Sequence, residues 1–79
     1  MSPTVFREGE FRFYFFSREE PRCHVHVLCP DGEAKFWLEP NIELAHKFGM
    51  SEQQSRAAKR LIEEHQDDIR NAWRKHFGG

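Results

Sequence analysis

The sequence predicts a small α+β domain, in which an antiparallel β-meander of about four strands has a long C-terminal α-helix packed on one face. Two features of the 79-residue chain predict this class. The first half alternates apolar and polar side chains with the period of β-strands, while the last third places apolar side chains at helical spacing. A chain of this length forms one domain, 1–79, which we divide into a β-meander at 1–40, a connecting segment at 41–50 and a helix at 51–77.

A glycine turn separates the first two predicted strands. Residues 3–7 form a short strand, Gly9 marks the turn, and residues 10–17 form the second strand. Three phenylalanines share one face of the second strand: Phe11, Phe13 and Phe15. The other face is aromatic and basic: Arg12, Tyr14 and Phe16. A strand that is aromatic on both faces is typical of the centre of a sheet.

The third and fourth predicted strands, 23–29 and 33–38, flank a turn at Pro30-Asp31-Gly32. A three-residue loop there would place Val27 opposite Lys35 and mix the two faces of the sheet. A loop of two or four residues keeps the faces consistent and places His26 beside one of two residues of the next strand, Lys35 or Trp37. We favour the consistent faces, because strand register follows the buried face.

The segment 41–48 fits a strand and a helix equally well, and Gly49 ends it. Ser51 and Gln54 then form a capping-box signature that opens the long helix. The apolar stripe of this helix contains Ala58, Leu61, Ile62, Ile69, Ala72, Trp73 and Phe77, and Gly78 and Gly79 follow as its stop. The helix would be about 40 Å long and would outrun the sheet, so either its end projects onto a partner or the helix bends.

Strand alternation places a group of reactive and aromatic side chains on the sheet face that the helix leaves uncovered: Arg12, Tyr14, Phe16, His24, His26, Lys35 and Trp37. His24 and His26 are two positions apart on one strand, so their imidazoles point to the same side. A mixed aromatic and basic face of this kind is typical of a binding surface. The sequence leaves open whether this face is exposed or covered, and we expect the functional site to lie on it.

Histidine exchanges protons near neutral pH, so His24 and His26 are the candidates for general acid–base catalysis. Four neighbours are candidates for nucleic-acid or partner contacts, the cations for phosphate and the rings for stacking on bases: Arg12, Tyr14, Lys35 and Trp37. These groups would suffice for metal-independent RNA cleavage. The alternatives are that the histidines are ordinary half-exposed residues or that they bind a metal, for which no third ligand is specified. We therefore predict no metal site and no cofactor.

Five segments together resemble a small bacterial family that is known only as a domain of unknown function: 3–7 (PTVFR), the Phe-rich strand that ends at Ser17, 21–27 (PRCHVHV), 32–38 (GEAKFWL) and 61–77, with LIEEH at its start. The resemblance implies an α+β fold and pairing with a second small protein in operons similar to toxin–antitoxin modules. It implies no reaction. The family often has two prolines before the first histidine, where this chain has Arg22-Cys23.

The composition narrows the classes of function. The net charge of −1 argues against a protein that coats DNA without sequence preference. No stretch is long and apolar enough for a membrane span and no signal peptide is evident, so we expect a cytoplasmic protein without membrane contact. On one extended strand Cys23 and Cys29 would be about 20 Å apart. They are therefore predicted to be reduced.

The leading hypothesis is a toxin-like component of a bacterial toxin–antitoxin-type module that acts on RNA, with a small cognate protein as its partner. The alternative is a non-catalytic protein-interaction or regulatory module, and the third hypothesis is a metal-binding regulator. A homodimer is a further arrangement that the sequence leaves open.

Overall fold

The computed structural model describes residues 4–15 and 21–77. It contains five strands and two helices in chain order: β1 (Thr4–Glu8), β2 (Phe11–Tyr14), β3 (His24–Cys29), β4 (Gly32–Trp37), β5 (Glu43–Phe48), α1 (Glu52–Glu64) and α2 (Gln66–Phe77). The strands form one antiparallel sheet in the order β1-β2-β3-β4-β5. The α+β class and the meander are thus confirmed. The prediction of about four strands was one too few, because the segment left open between strand and helix forms β5.

The helical segment predicted at 51–77 forms two helices rather than one, and of the two outcomes that its length allowed, a projecting end or a bend, the structure has the bend. His65 lies between α1 and α2 with φ −112° and ψ 17°, outside the helical range. The molecule measures 33 Å along its longest axis, so a straight helix of about 40 Å would leave its end without a sheet to cover. The break lets both Ile62 and Ile69 reach the core. Neither helix is long and apolar enough to cross a membrane.

The hairpin between β3 and β4 has a two-residue loop. Cys29 pairs with Gly32, and His26 pairs with Lys35, as the consistent-face argument predicts. Pro30 and Asp31 therefore form the loop, and the buried face sets the register. Gly9 occupies its predicted turn with φ 59°.

The core lies between the helices and one face of the sheet. Its fully buried sheet residues include Phe13, Val25, Val27 and Phe36, and the helices add Ala58, Ile62 and Ile69. Cys23 and Cys29 are buried in the same core and are both free thiols, as predicted. Several predictions fall on residues outside the described ranges: Pro3, Phe16, Ser17, Gly78 and Gly79.

Both edge strands of the sheet are irregular. The register of β1 shifts at Val5, where two steps on β1 match one step on β2. The register of β5 shifts in the same way at Ala45. A bulge in an edge strand twists its backbone donors and acceptors out of line and disfavours pairing with another strand. Both edges are thus poorly suited to extending the sheet.

Candidate functional site

Cross-strand pairing brings the predicted site residues together on the face opposite the core. Tyr14 pairs with His26, which pairs with Lys35 on its other side. His24 pairs with Trp37 in the next row. We call these five residues the histidine cluster: Tyr14, His24, His26, Lys35 and Trp37. Arg12, the sixth predicted residue, lies beside the cluster, with its guanidinium carbon 5.0 Å from the centre of the Tyr14 ring.

The sequence left open whether this face is exposed or covered, and in the structure the histidine cluster is largely covered. The exposed fraction is 6% for Tyr14, 0% for His24, 8% for His26 and 7% for Lys35. Only Trp37 is half-buried. A residue pattern can assign a side chain to a face, but burial also depends on what packs over that face. The predicted catalytic side chains are therefore enclosed.

His24 is held by rings on several sides. Its ring centre lies 5.0 Å from Trp73 of α2, 5.1 Å from His26 and 5.7 Å from Trp37. Its Nδ1 lies 2.7 Å from the carbonyl oxygen of Arg22. Since a carbonyl oxygen only accepts, Nδ1 is the donor, and the neutral ring has its basic lone pair on Nε2. These contacts and its full burial indicate a structural role for His24.

The predicted phosphate-binding cations lie against the predicted stacking rings. Lys35 Nζ is 4.5 Å from the centre of the Trp37 ring, and the guanidinium carbon of Arg22 is 4.2 Å from the same ring. His26 stacks on Tyr14 with the ring centres 5.4 Å apart. A cation over an aromatic ring is a stabilising contact in its own right. The rings and cations thus already contact one another within the chain.

The chemistry available at the cluster is limited to what two adjacent imidazoles and an ammonium group can do. His26, Lys35 and His24 could relay a proton or hold an anion if the cluster became accessible. Within residues 4–15 and 21–77, no three histidine, cysteine or carboxylate side chains come together as a metal site would need. On the core face, burial and the charge of Glu39 raise the pKa of the Cys23 thiol from 9.0 to about 11. That thiol is therefore a poor nucleophile near neutral pH.

A row of side chains next to the cluster is more exposed. It crosses all five strands near the turn end of the sheet, through the pairs Arg7–Arg12, Arg12–Leu28, Leu28–Glu33 and Glu33–Phe48. We call it the exposed row: Arg7, Arg12, Leu28, Glu33 and Phe48. Phe48 is 76% exposed and Leu28 is 38% exposed. A cleft of about 370 Å³ opens beside Arg7, Arg12 and Leu28.

Sequence reasoning missed three residues that shape these surfaces. Trp73 was placed on the apolar stripe of the helix, but it also contacts His24. Arg22 was given no role in the site, although it covers Trp37. Phe48 had no assigned role, because its segment was left open between strand and helix. The pattern could not have placed Phe48 correctly either, because alternation from Leu44 puts it on the core face and the bulge at Ala45 moves it to the opposite face.

A family model described as Domain of unknown function (DUF4160) matches residues 10–74. The matched range includes the histidine cluster and most of both helices. Comparison with curated proteins and with solved structures yields no match.

Proposed function

The chain belongs to the DUF4160 family of domains of unknown function, and from its geometry we propose that it is a non-catalytic protein-interaction module whose binding surface is the exposed row. One observation supports this most directly. The residues suited to catalysis are buried against one another, whereas Phe48, a large apolar side chain at the sheet edge, is 76% exposed. A large exposed ring beside charged groups is typical of a recognition surface.

The spacing of the apolar side chains sets the geometry of the partner. Leu28 on β3 and Phe48 on β5 both pair with Glu33 on the strand between them. Two strand spacings separate them by about 10 Å. A partner helix with apolar residues seven positions apart, at about 1.5 Å rise per residue, matches this distance. Arg7 is exposed at the far end of the row and favours a carboxylate at the corresponding end of the partner segment.

The partner that we propose is the small protein encoded beside this chain in the gene pairs that the family resemblance implies. The irregular β1 and β5 make backbone pairing at either edge unfavourable. Binding would therefore depend on side chains of the exposed row. It would require no reaction at the histidine cluster.

Calorimetric titration of this chain with the product of the adjacent gene tests the proposal. We expect Phe48→Ser to weaken binding about tenfold or more, since a large aromatic side chain that becomes buried in an interface is often worth that factor. The control is Leu44→Ser, which removes another exposed apolar side chain (40%) from the same strand. Leu44 pairs with Phe36 and so belongs to the opposite face.

Equal loss of affinity in Leu44→Ser and Phe48→Ser would show that the exposed row has no special role. Unchanged affinity in Phe48→Ser would contradict the proposed surface. Titration of the chain against itself, followed by sedimentation, distinguishes a homodimer from a complex of two different proteins.

A second candidate function is RNA cleavage by a toxin-like protein, and one contact favours it. The His24 and His26 rings lie 5.1 Å apart, and Lys35 pairs with His26 on the neighbouring strand. Two imidazoles and a cation are the groups that metal-independent cleavage at a 2′-hydroxyl uses. This function requires the cluster to open, because its members are now buried.

Expression of the chain alone tests this second candidate. If it cleaves RNA, growth slows, and purified protein degrades single-stranded RNA in the presence of a chelator. His26→Gln then abolishes both effects, while Leu44→Ser leaves both in place. Normal growth on expression of the wild-type chain and intact RNA after incubation would rule the candidate out.

A further inference from the structure

We propose that a cleft between α2 and the β4–β5 connection binds a small oxyanion, a carboxylate or a phosphate, between two arginines. The cleft has a volume of about 270 Å³. We call it the arginine cleft, and its lining residues are Cys23, Glu39, Arg70, Trp73 and Arg74. It lies at the end of β3 that begins with His24, whereas the exposed row crosses β3 near its other end at Leu28. The proposal is therefore independent of the protein-binding surface.

Arg70 is held in a fixed orientation at the cleft. Its Nη1 donates a hydrogen bond to Gln66 Oε1 (2.6 Å), one turn earlier on α2. Its Nη2 donates to the carbonyl oxygen of Leu38 (2.8 Å), at the end of β4. A guanidinium group has five N–H donors, so these two bonds leave others for a ligand. Because the side chain is already ordered, a ligand would not have to immobilise it on binding.

Arg74 lies one turn after Arg70 on the same face of α2. Its Nη2 donates to Asn71 Oδ1. Within the described ranges 4–15 and 21–77, neither arginine forms an ion pair with a carboxylate, including Glu39. The lining side chains therefore have a net charge of +1, from two arginines and one glutamate. A net positive cleft with two guanidinium groups on one side favours an anion.

The remaining lining residues are apolar or neutral. Trp73 is fixed by ring contacts with Phe15 (5.4 Å) and His24 (5.0 Å). The Cys23 thiol is 5% exposed and contributes no charge of its own while protonated. Charge–charge contacts are stronger in such surroundings than in open water. The single carboxylate of Glu39 would oppose an anion of high charge more than a monoanion.

The protein has two tryptophans, which provide a built-in comparison for an NMR titration. Trp73 lines the arginine cleft, whereas Trp37 belongs to the histidine cluster. With benzoate and with inorganic phosphate as probes, we expect the indole N–H signal of Trp73 to shift in a saturable way. The Trp37 signal should move less. The two probes distinguish a carboxylate site on an apolar group from a phosphate site.

Three variants test the role of the charges. Arg74→Gln should weaken probe binding about tenfold, the factor expected for loss of a hydrogen bond to a charged group. Glu39→Gln should strengthen binding, because it removes the one opposing charge. Arg60→Gln, an exposed change on α1, is the control that should leave binding unchanged. Arg70→Gln is less informative, because it also removes the bond to Leu38.

Three results would overturn the proposal. One is the absence of a saturable Trp73 shift with both probes. Another is equal weakening by Arg74→Gln and Arg60→Gln, which would show a general charge effect. The third is weaker binding in Glu39→Gln, because this result would make Glu39 a supporting residue rather than an opposing charge.

Discussion

His24 shows how a polar residue can serve as a structural element of a small domain. The side chain is fully buried, and the carbonyl oxygen of Arg22 accepts a hydrogen bond from its Nδ1. Its ring fills the space between Trp37 and Trp73, so one imidazole connects β3, β4 and α2. The hydrogen bond at Nδ1 and the packed ring faces offset part of the cost of burying this polar ring.

Replacement of His24 by alanine should lower the free energy of unfolding by about 3 kcal/mol, the usual cost of deleting a buried ring. The loss combines a cavity beside Trp73 with removal of the hydrogen bond to Arg22. Urea denaturation followed by tryptophan fluorescence measures it. The control is His46→Ala, an exposed site, where the change should stay within about 0.5 kcal/mol. Similar effects of the two changes would contradict a structural role for His24.

The stability of the protein should also fall at alkaline pH because of Cys23. Burial raises the pKa of this thiol from 9.0 to about 11 in the folded state. Between these pH values the folded state keeps a proton that the unfolded state loses. Stability therefore decreases as pH rises through this interval, by about 1.4 kcal/mol per pH unit at most.

The free energies of unfolding of wild type and Cys23→Ala, measured between about pH 8 and pH 11, check this linkage. This range includes the pKa values of the Cys23 thiol in the unfolded and the folded state. The difference between the two proteins should shrink as pH rises, because the alanine variant lacks the titrating group. Iodoacetamide should alkylate Cys23 more slowly in the folded protein than in urea. A difference that is independent of pH would show that this thiol does not titrate in the interval.

At the scale of residues, the sequence identifies the sheet face on which a side chain lies, but not whether other parts of the chain bury it there. Alternation along β3 places His24 and His26 on one side, and the structure agrees. The contact between His24 and Trp73 joins residues far apart in the chain, and no local pattern encodes it. Whether the face is open or covered could therefore not be predicted, for a physical reason. Burial depends on which distant elements meet.

At the scale of elements, the break at His65 shows that helical periodicity does not predict where a helix is interrupted. The apolar spacing continues from Leu61 through Ile69 to Trp73, so the pattern predicts one helix. No proline or glycine marks the break. The His65 N–H donates to the carbonyl oxygens of both Leu61 and Ile62, and Ile69 N–H donates to that of His65. These hydrogen bonds keep the backbone groups around His65 paired. A bend at this one residue can therefore change the direction of the helix axis while the apolar residues keep their helical spacing in the sequence.

The Ser51 capping box, in contrast, was predictable from four residues alone. Ser51 Oγ accepts from Gln54 N at 3.0 Å, and Gln54 Oε1 accepts from Ser51 N at 3.0 Å. The Gln54 side chain also donates to Asp31 Oδ2, which connects the start of α1 to the β3–β4 loop. Local hydrogen-bond motifs are predictable because every partner lies within one turn.

Position 32 requires a glycine because the backbone at the end of β5 lies very close to the start of β4. A β-carbon there would overlap the carbonyl oxygen of Phe48 and crowd the backbone of Gly49. We expect Gly32→Ala to destabilise the protein by about 3 kcal/mol, the range seen for forced overlap with rigid backbone. Gly9→Ala is the comparison, because it meets no atom within 4 Å and has only the strain of φ 59°.

Thermal denaturation of the two alanine variants separates overlap from conformational strain. Gly9→Ala should cost about 1 kcal/mol, the penalty for a β-carbon in the left-handed region. A smaller loss in Gly32→Ala than in Gly9→Ala would mean that the β4 end and the β5–α1 connection can move apart easily. That result would contradict the tight contact.

At the scale of the whole molecule, one sheet covered on one face by a bent helix pair gives a core that is thickest over the central strands. Phe13, Val25, Val27 and Phe36 are all fully buried. The fold class was predictable because the switch from strand period to helical period is strong. The fifth strand was not, since the bulge at Ala45 interrupts its alternation.

Native-state hydrogen exchange should reflect this gradient across the sheet. Amides of Val25 and Val27 in β3 should exchange most slowly, because β3 has a paired strand on each side and a buried face. Amides in β1 and β5 should exchange faster, since each edge strand pairs on one side. Slowest exchange in α2 would instead show that the helix pair forms the most stable unit.

The irregular edges have a consequence for how this protein could diverge within a genome. Backbone pairing at a sheet edge accepts many strands of unrelated sequence, whereas recognition by side chains depends on their identity. With β1 and β5 both bulged, discrimination between partners would be set by a few exchangeable positions such as Phe48 and Arg7. If the gene were duplicated, single substitutions at these positions would stop one copy from binding the partner of the other, without any change to the fold.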